Sequence, residues 1–280
     1  MRPMKHTPDH YFRLTVLCLC VVVLALAVPA GTCHAEEDFP WEMFLPAILK
    51  NKDWPPVMVE NRRSGNPPGE WEVAGVGDPS IQGFATDFSV NRGRTVSFKI
   101  KTDAADYRID IYRLGFYGGL GARKVATVRP SASLPQNQPA CLFDASTKLL
   151  DCGNWSVSAV WAVPPDAVSG VYIARPVRTD TDGASHIIFI VRDDEGKSDI
   201  LFQTGDATWQ AFNKYGGSNL YRTGDENNSY RRAYKVSYNR PFINRGSTSQ
   251  LFERETFLFN TEYPMIRWLE ANGYNVSYAS

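Results

Sequence analysis

Histidine is what this chain most conspicuously lacks. Of four histidines in 280 residues, His6, His10 and His34 fall within the first 35 positions, leaving His186 alone beyond them. A Ser-His-Asp or Cys-His site, or a zinc site with two histidines, would have to be built through His186 or not at all. His186 opens the run HIIFIV and reads as a strand-end residue. Net charge is also absent: 30 basic residues balance 30 acidic ones, so there is no electrostatic case for a nucleic-acid or anionic-membrane partner. Cysteine is sparse, and three of the five, Cys18, Cys20 and Cys33, again lie in the first 35 residues. The chemistry left open rests on carboxylates, tyrosines, backbone dipoles or a partner. Aromatic residues make up 12 % of the chain, a usage that suits β-structure, amide- or carbohydrate-binding surfaces and plain cores alike.

Residues 1–35 read as a secretory signal. Arg2, Lys5 and Arg13 form a positive region, and Leu14–Val28 is an apolar run too short to span a bilayer comfortably. The small residues before Ala35 suit cleavage there. An uncleaved anchor is the alternative, and Thr32 is a poor residue before a lipidated Cys33. The expectation is a secreted or periplasmic protein with no stable membrane span after cleavage. In such a compartment Cys141 and Cys152, which bracket LFDASTKLLD, are expected to form a disulfide, with two free thiols as the alternative.

Residues 36–79 carry seven prolines and read as an extended linker, with one short apolar run, Met43–Leu49, able to form a brief helix. Residues 80–195 read as all-β. Thr95–Ile100, Tyr107–Tyr112 and Asn154–Trp161 alternate, Val171–Ala174 and Ile187–Val191 are apolar runs, and Asn91-Arg92-Gly93 and Thr181-Asp182-Gly183 are turn signals. Strands at this spacing with a disulfide predict an immunoglobulin-like β-sandwich. The loop RLGFYGGLGAR, Arg113–Arg123, is no phosphate loop, because no Lys-Ser/Thr pair follows Gly121 and no helix opens there. A domain contact or a ligand rim is the expectation.

From residue 196 the period changes. Ile200–Phe202 reads as a strand feeding a helix that opens near Asp206, a good N-cap, and ends at Gly216-Gly217. Trp209 and Phe212 share a face of that helix. The bland reading is a buried aromatic face on an ordinary strand–helix unit. Tyr230, Tyr234 and Tyr238 are four apart and suit a helix face, a loop or a short strand. Thr261–Asn272 reads as a helix and Tyr274–Tyr278 as a second strand. The sum is the opening of an α/β domain with a parallel sheet. Two strands and two helices are too few to bury such a sheet, so residues 196–280 are expected to be the N-terminal part of a truncated α/β catalytic-like domain.

WQAFNKYGGSNLY, then RAYKVSYNRPF, then EYPMIRWLEANGYNVSY, resembles the N,N-dimethylformamidase large (beta) subunit-like family. IDIYRLGFYGGLGARKV, with the Cys141/Cys152 pair and the VRDD boundary, resembles the β-domain preceding the catalytic region in secreted members. The resemblance covers about Gln82–Ser280. It implies a C–N hydrolase of small linear amides with one iron held by two tyrosines and a glutamate, and a small subunit or a homo-oligomer. Hard phenolate and carboxylate donors suit ferric iron, which would polarise an amide carbonyl or activate water. One ligand tyrosine of the family falls on Tyr221, in GGSNLY. The other, in an AYN segment, falls on Phe212, which has no oxygen. The glutamate belongs to a downstream His-Asp-Glu-Tyr-Trp type motif that the chain does not reach. Tyr215 would substitute only if the helix end reorganised. Trp209 and Asn213 are the expected substrate-lining residues, and no catalytic residue is assigned.

Two readings follow. In one, the chain belongs to an iron amidohydrolase and is inactive by itself. In the other, it is a secreted β-sandwich module binding polysaccharide or cell envelope without catalysis. Solvent-exposed Trp155 and Trp161 would favour the second reading, and buried ones would weaken it.

Overall fold

The computed structural model of the chain describes residues 54–221, 232–243 and 257–280. Residues 1–35, expected to be a signal, and Met43–Leu49 lie outside the described residues, as does Tyr230. Two sheets dominate. The smaller has the order β1-β3-β8, from β1 (Ile81–Ala85), β3 (Thr95–Thr102) and β8 (Ala159–Ala162), all antiparallel. The larger has the order β2-β10-β9-β4-β5, from β2 (Ser89–Asn91), β4 (Tyr107–Leu114), β5 (Ala122–Val128), β9 (Gly170–Arg178) and β10 (Ile187–Arg192). Its pairings are antiparallel except β10 with β2.

The two sheets share one core. Val96, Phe98 and Ile100 from β3 and Trp161 from β8 meet Ile109 and Ile111 from β4, Tyr172 from β9 and Phe189 from β10. The alternate residues of the larger sheet enter a second core on its other face. There Tyr112, Leu114, Val171, Ile173, Ile188 and Ile190 meet Trp209, Ile266, Leu269, Val276 and Tyr278. Burial on both faces is why β9 and β10 read as continuous apolar runs rather than alternating ones. The architecture is mostly β, consistent with a sandwich. The turn signals are placed as expected, with positive φ at Gly93 and Asp182.

The strand Asn154–Trp161 is shorter than its alternation predicts. Only Ala159–Ala162 pairs, and Trp155 precedes the strand, packing with Phe84 and Cys152 in a separate small cluster. Trp155 and Trp161 are both buried, so neither offers an exposed platform for a sugar ring. Cys141 and Cys152 are disulfide-bonded across the hairpin of β6 (Leu142–Asp144) and β7 (Leu149–Asp151).

The proline-rich stretch is not uniformly extended. It forms α1 (Pro56–Asn61) and α2 (Pro68–Trp71), each with proline in its first turn, where the missing N–H costs nothing. Both helices sit in the same compact unit as the sheets, Asp53–Ser280. The glycine-rich loop is a contact surface. The Gly121 carbonyl accepts the Tyr263 hydroxyl (3.0 Å), the Gly119 carbonyl accepts Arg267 (2.9 Å), and Tyr117 donates to Glu60 (2.9 Å). His186 immediately precedes β10, and its Nε2 lies 2.6 Å from the Trp71 carbonyl oxygen, an anchor for α2.

Strand β11 (Ile200–Gln203) pairs in parallel with β12 (Val276–Ala279), with α3 (Asp206–Phe212) and α4 (Glu262–Ala271) between them in sequence. Ile200, Phe202, Val276 and Tyr278 face the second core, while Leu201 is exposed. Among the described residues no helix is long and apolar enough to cross a membrane.

The buried tyrosines give the fold an alkaline limit. Burial pushes Tyr107 and Tyr112 up to about 12 from 10.0, and Tyr117, Tyr172 and Tyr278 higher still. A folded-state pKa above the unfolded one stabilises fully below the unfolded value and is lost as pH rises through the folded one. Stability is therefore expected to fall steadily from about pH 10 to about pH 12. Urea midpoints across that interval, read alongside tyrosinate absorbance, check it. A flat midpoint to pH 12 would contradict the burial of these hydroxyls.

Candidate functional site

The segment that follows β11 holds every residue singled out for metal or substrate. Gly205, not Asp206, occupies the N-cap of α3, and Asp206 is the first helical residue. Its carboxylate turns away from the helix N–H groups to accept the Thr204 hydroxyl (2.8 Å) and the Tyr238 hydroxyl (2.7 Å). Burial and the facing Asp206 both raise the Tyr238 pKa. The helix entrance is served instead by Glu262 of α4, which accepts the Gly205 N–H (3.1 Å) and the Trp209 indole N–H (2.9 Å).

Helix α3 is also shorter than its glycines suggest. It ends at Phe212, because Asn213 takes an extended backbone (ψ 120°) and its side chain is bonded on both sides. The Asn213 amide donates to the Pro241 carbonyl (2.8 Å), and its oxygen accepts the Tyr215 and Ile243 N–H groups (both 3.2 Å). Gly216 and Gly217 shape the turn beyond, with φ of +85° and +93°. Asn213 is thus fully enclosed as a bracket between α3 and residues 241–243. Trp209 is equally enclosed, its ring among Phe88, Phe242 and Phe257.

Residues 213–221 fold back along the helix end. Leu220 N–H donates to the Ala211 carbonyl (3.0 Å), Asn219 to the Phe212 carbonyl (2.8 Å), and Tyr221 N–H to the Asn219 side chain (2.8 Å). The fold-back lays the Tyr221 ring on the Phe212 ring, centroids 4.3 Å apart and planes 18° apart. Phe212 and Tyr221, the two positions expected to correspond to ligand tyrosines, are therefore neighbours in space. Tyr221 is 57 % exposed, and its hydroxyl makes no hydrogen bond among the described residues. Tyr215 faces elsewhere, packing beside Leu150 and Cys141, and burial raises its pKa.

This donor set does not fit a three-ligand iron site. Of the stacked pair only Tyr221 carries an oxygen. Among the described residues there is no group of three or more His, Cys, Asp or Glu side chains able to hold a metal.

Arg240 is the residue that sequence reasoning missed. It is 1 % exposed, and its guanidinium reaches the carbonyls of Gln210 (2.9 Å), Tyr215 (3.1 Å) and Ser237 (3.2 Å). Burial lowers its pKa to about 10, leaving it charged at neutral pH against the carbonyl end of α3, where the helix dipole favours a cation. Nothing in RPF signals this role, since a surface arginine would be written the same way.

Two cavities lie nearby in the fold. A groove of about 270 Å³ is lined by Tyr215 with Ser80, Gln82, Lys101, Asp103 and Asn137 among others. A cleft of about 180 Å³ lies by Glu60, Arg123, Trp161 and Tyr172. Neither is lined by Trp209, Asn213 or Tyr221.

The family model described as N,N-dimethylformamidase beta subunit-like, C-terminal, matches residues 108–280, more than half of the chain. No curated protein sequence matches the chain. Among solved structures, a fungal alcohol oxidase of the AA5 family in complex with copper is 15 % identical, with a TM-score of 0.26, over 38 % of this chain and 19 % of the oxidase. Domain 1 of VCBP3 from Branchiostoma floridae is 12 % identical, with a TM-score of 0.25, over 43 % of this chain and all of that domain. Likeness at this level carries no argument about fold or function.

Proposed function

The chain belongs to the N,N-dimethylformamidase beta subunit-like family, and from that premise we propose that it is a secreted dimethylformamidase-like protein related to iron-dependent hydrolases of small linear amides. In this reading residues 80–195 are an immunoglobulin-like sandwich, and residues 196–280 are the N-terminal part of an α/β catalytic-like domain. The signal-like residues 1–35 and the Cys141–Cys152 disulfide support an extracytoplasmic location. The family's beta-subunit name supports assembly with a small subunit or with further copies.

The observation that carries the reading is the stack of Phe212 on Tyr221. In this reading the stacked residues are the two ligand positions, and this chain fills one of them with a ring that has no donor atom. Tyr221 would supply one hard phenolate ligand to ferric iron. Among the described residues no cluster of His, Cys, Asp and Glu completes the set, and the chain alone is expected to hydrolyse no amide because Phe212 supplies no oxygen.

Ferric iron titrated into the full chain and into Phe212→Tyr tests this. Phe212→Tyr is expected to retain iron at least about tenfold more tightly, with a new visible phenolate-to-iron absorption, because chelation by a second hard oxygen adds on the order of one decade or more. Tyr221→Phe in that background leaves one phenolate and is expected to return retention and the band to the level of the native chain. Equal retention by the native chain and Phe212→Tyr would remove positions 212 and 221 as the ligand pair.

A further inference from the structure

The hairpin β6–β7 is small, exposed and closed by the disulfide, yet its inner side is bonded to residues 234–239, which lead directly to the partners of the loop that carries Tyr221. The Asp151 carboxylate accepts the Gly153 N–H (2.6 Å), the Ser237 hydroxyl (2.7 Å) and the Asn239 amide (3.3 Å). Cys152 N–H donates to the Asn239 carbonyl (2.8 Å), and Tyr234 N–H donates to the Thr147 carbonyl (2.8 Å). Residues 234–239 are thus tied to the hairpin at four points along their length.

The chain then passes directly onto the candidate site. Tyr238 reaches Asp206, Arg240 holds the carbonyls of Gln210 and Tyr215, and Pro241 and Ile243 hold Asn213. A second route is by packing. Leu150 of β7 lies directly over Gly216, where φ is +85° and an added Cβ would collide with the Leu150 side chain. Tyr215 and Leu150 pack around the disulfide with Cys141 and Trp155.

We propose that the disulfide-closed hairpin 141–152 is a brace that positions the loop Asn213–Tyr221, with Asp151 as its positioning residue. The inference deepens the proposed site and rests on that reading for its functional meaning. Its physical content, a coupling between the hairpin and the loop, stands apart from it. A loop held through 237–243 and packed at Gly216 against one short covalent ring has fewer open states than an untethered loop would have. Burial opposes the charge on Asp151, but the donors from Ser237, Gly153 and Asn239 outweigh it and hold its pKa low, which keeps a full carboxylate at the joint.

Amide hydrogen exchange of the full chain, read by mass spectrometry on peptides covering 213–221, 237–243 and the strands β4, β9 and β10, tests the brace. Two variants act on it differently: Asp151→Ala keeps the disulfide, and the paired Cys141→Ser, Cys152→Ser removes it. Both are expected to speed exchange in 213–221 and 237–243 at least about tenfold while β4, β9 and β10 keep their protection. Asp151→Asn, whose amide oxygen still accepts the Gly153 N–H and whose amide nitrogen can donate to the Ser237 hydroxyl oxygen, is expected to restore part of it. Unchanged exchange in 213–221 would overturn the proposal, as would an equal loss in β4 and β9, which would make the hairpin a global staple. If the paired serine chain does not fold, Asp151→Ala against Asp151→Asn decides alone. The readout needs no iron. Loop loosening with a failed iron titration would therefore sink the metal reading and leave the brace standing.

Discussion

Glu270→Gln is expected to destabilise the chain by about 3–5 kcal/mol, because it leaves a buried arginine without its counter-charge. Arg113 is fully buried, and Glu270 is 3 % exposed. The carboxylate accepts both terminal nitrogens of Arg113 (2.9 and 2.8 Å), the Asn61 amide (2.7 Å) and the Tyr278 hydroxyl (2.8 Å). Burial opposes the charge on Arg113, but Glu270 overrides it and holds the guanidinium protonated. The pair joins β4 to α4, α1 and β12, so one carboxylate ties the strand–helix unit to the larger sheet. Room for it comes from Gly170, where a Cβ would lie 2.8 Å from the Arg113 Nε. That Nε itself has no hydrogen-bond partner, so the network is not fully satisfied. Arg113→Met combined with Glu270→Leu is accordingly expected to recover most of the loss, since neither charge is then stranded. Urea unfolding of the three chains measures both effects. A Glu270→Gln loss below about 1 kcal/mol would show that the pair adds no more than a surface bridge does.

Trp209→Ala is expected to cost about 3–5 kcal/mol, and Trp209→Phe about 1–2 kcal/mol. The indole is fully buried in the second core, so alanine opens a large cavity among Phe88, Phe242 and Phe257. Phenylalanine keeps most of the apolar area and loses the bond to Glu262 at 2.9 Å. The ratio of the two losses separates packing from hydrogen bonding. Denaturant midpoints give the numbers. A Trp209→Ala chain of native stability would return the residue to the role of pocket wall, because an open pocket already lacks the contacts that alanine would remove.

The period of apolar residues was enough to locate β3, β4, β9, β10 and α4, because the burial of each follows from its own alternation or its own helical stripe. Histidine scarcity left tyrosine and carboxylate as the donors to consider. What the sequence misjudged was local structure set by distant partners. Asp206 has the side chain of an N-cap, but Thr204 and Tyr238 claim its carboxylate, and Glu262 serves the helix entrance from 57 residues away. Trp209 and Asn213 sit in a stretch rich enough in aromatic and amide groups to suggest a pocket, yet Phe88, Pro241 and Ile243 enclose them.

Composition, period and turn chemistry are properties of neighbouring residues, so the single chain determined β3, β4, β9 and β10, the disulfide partners and the family. The tertiary structure decided which polar side chains are spent on structure and which remain free. Arg113, Glu270, Asp151 and Arg240 look like surface residues in the sequence, and each is taken up by partners that only folding supplies. Phe212 and Tyr221 are nine positions apart, and their stacking depends on a loop reversal in which Asn219 bonds back to the Phe212 carbonyl. A buried polar group must find a partner wherever the chain offers one, and that search is not written in the local pattern.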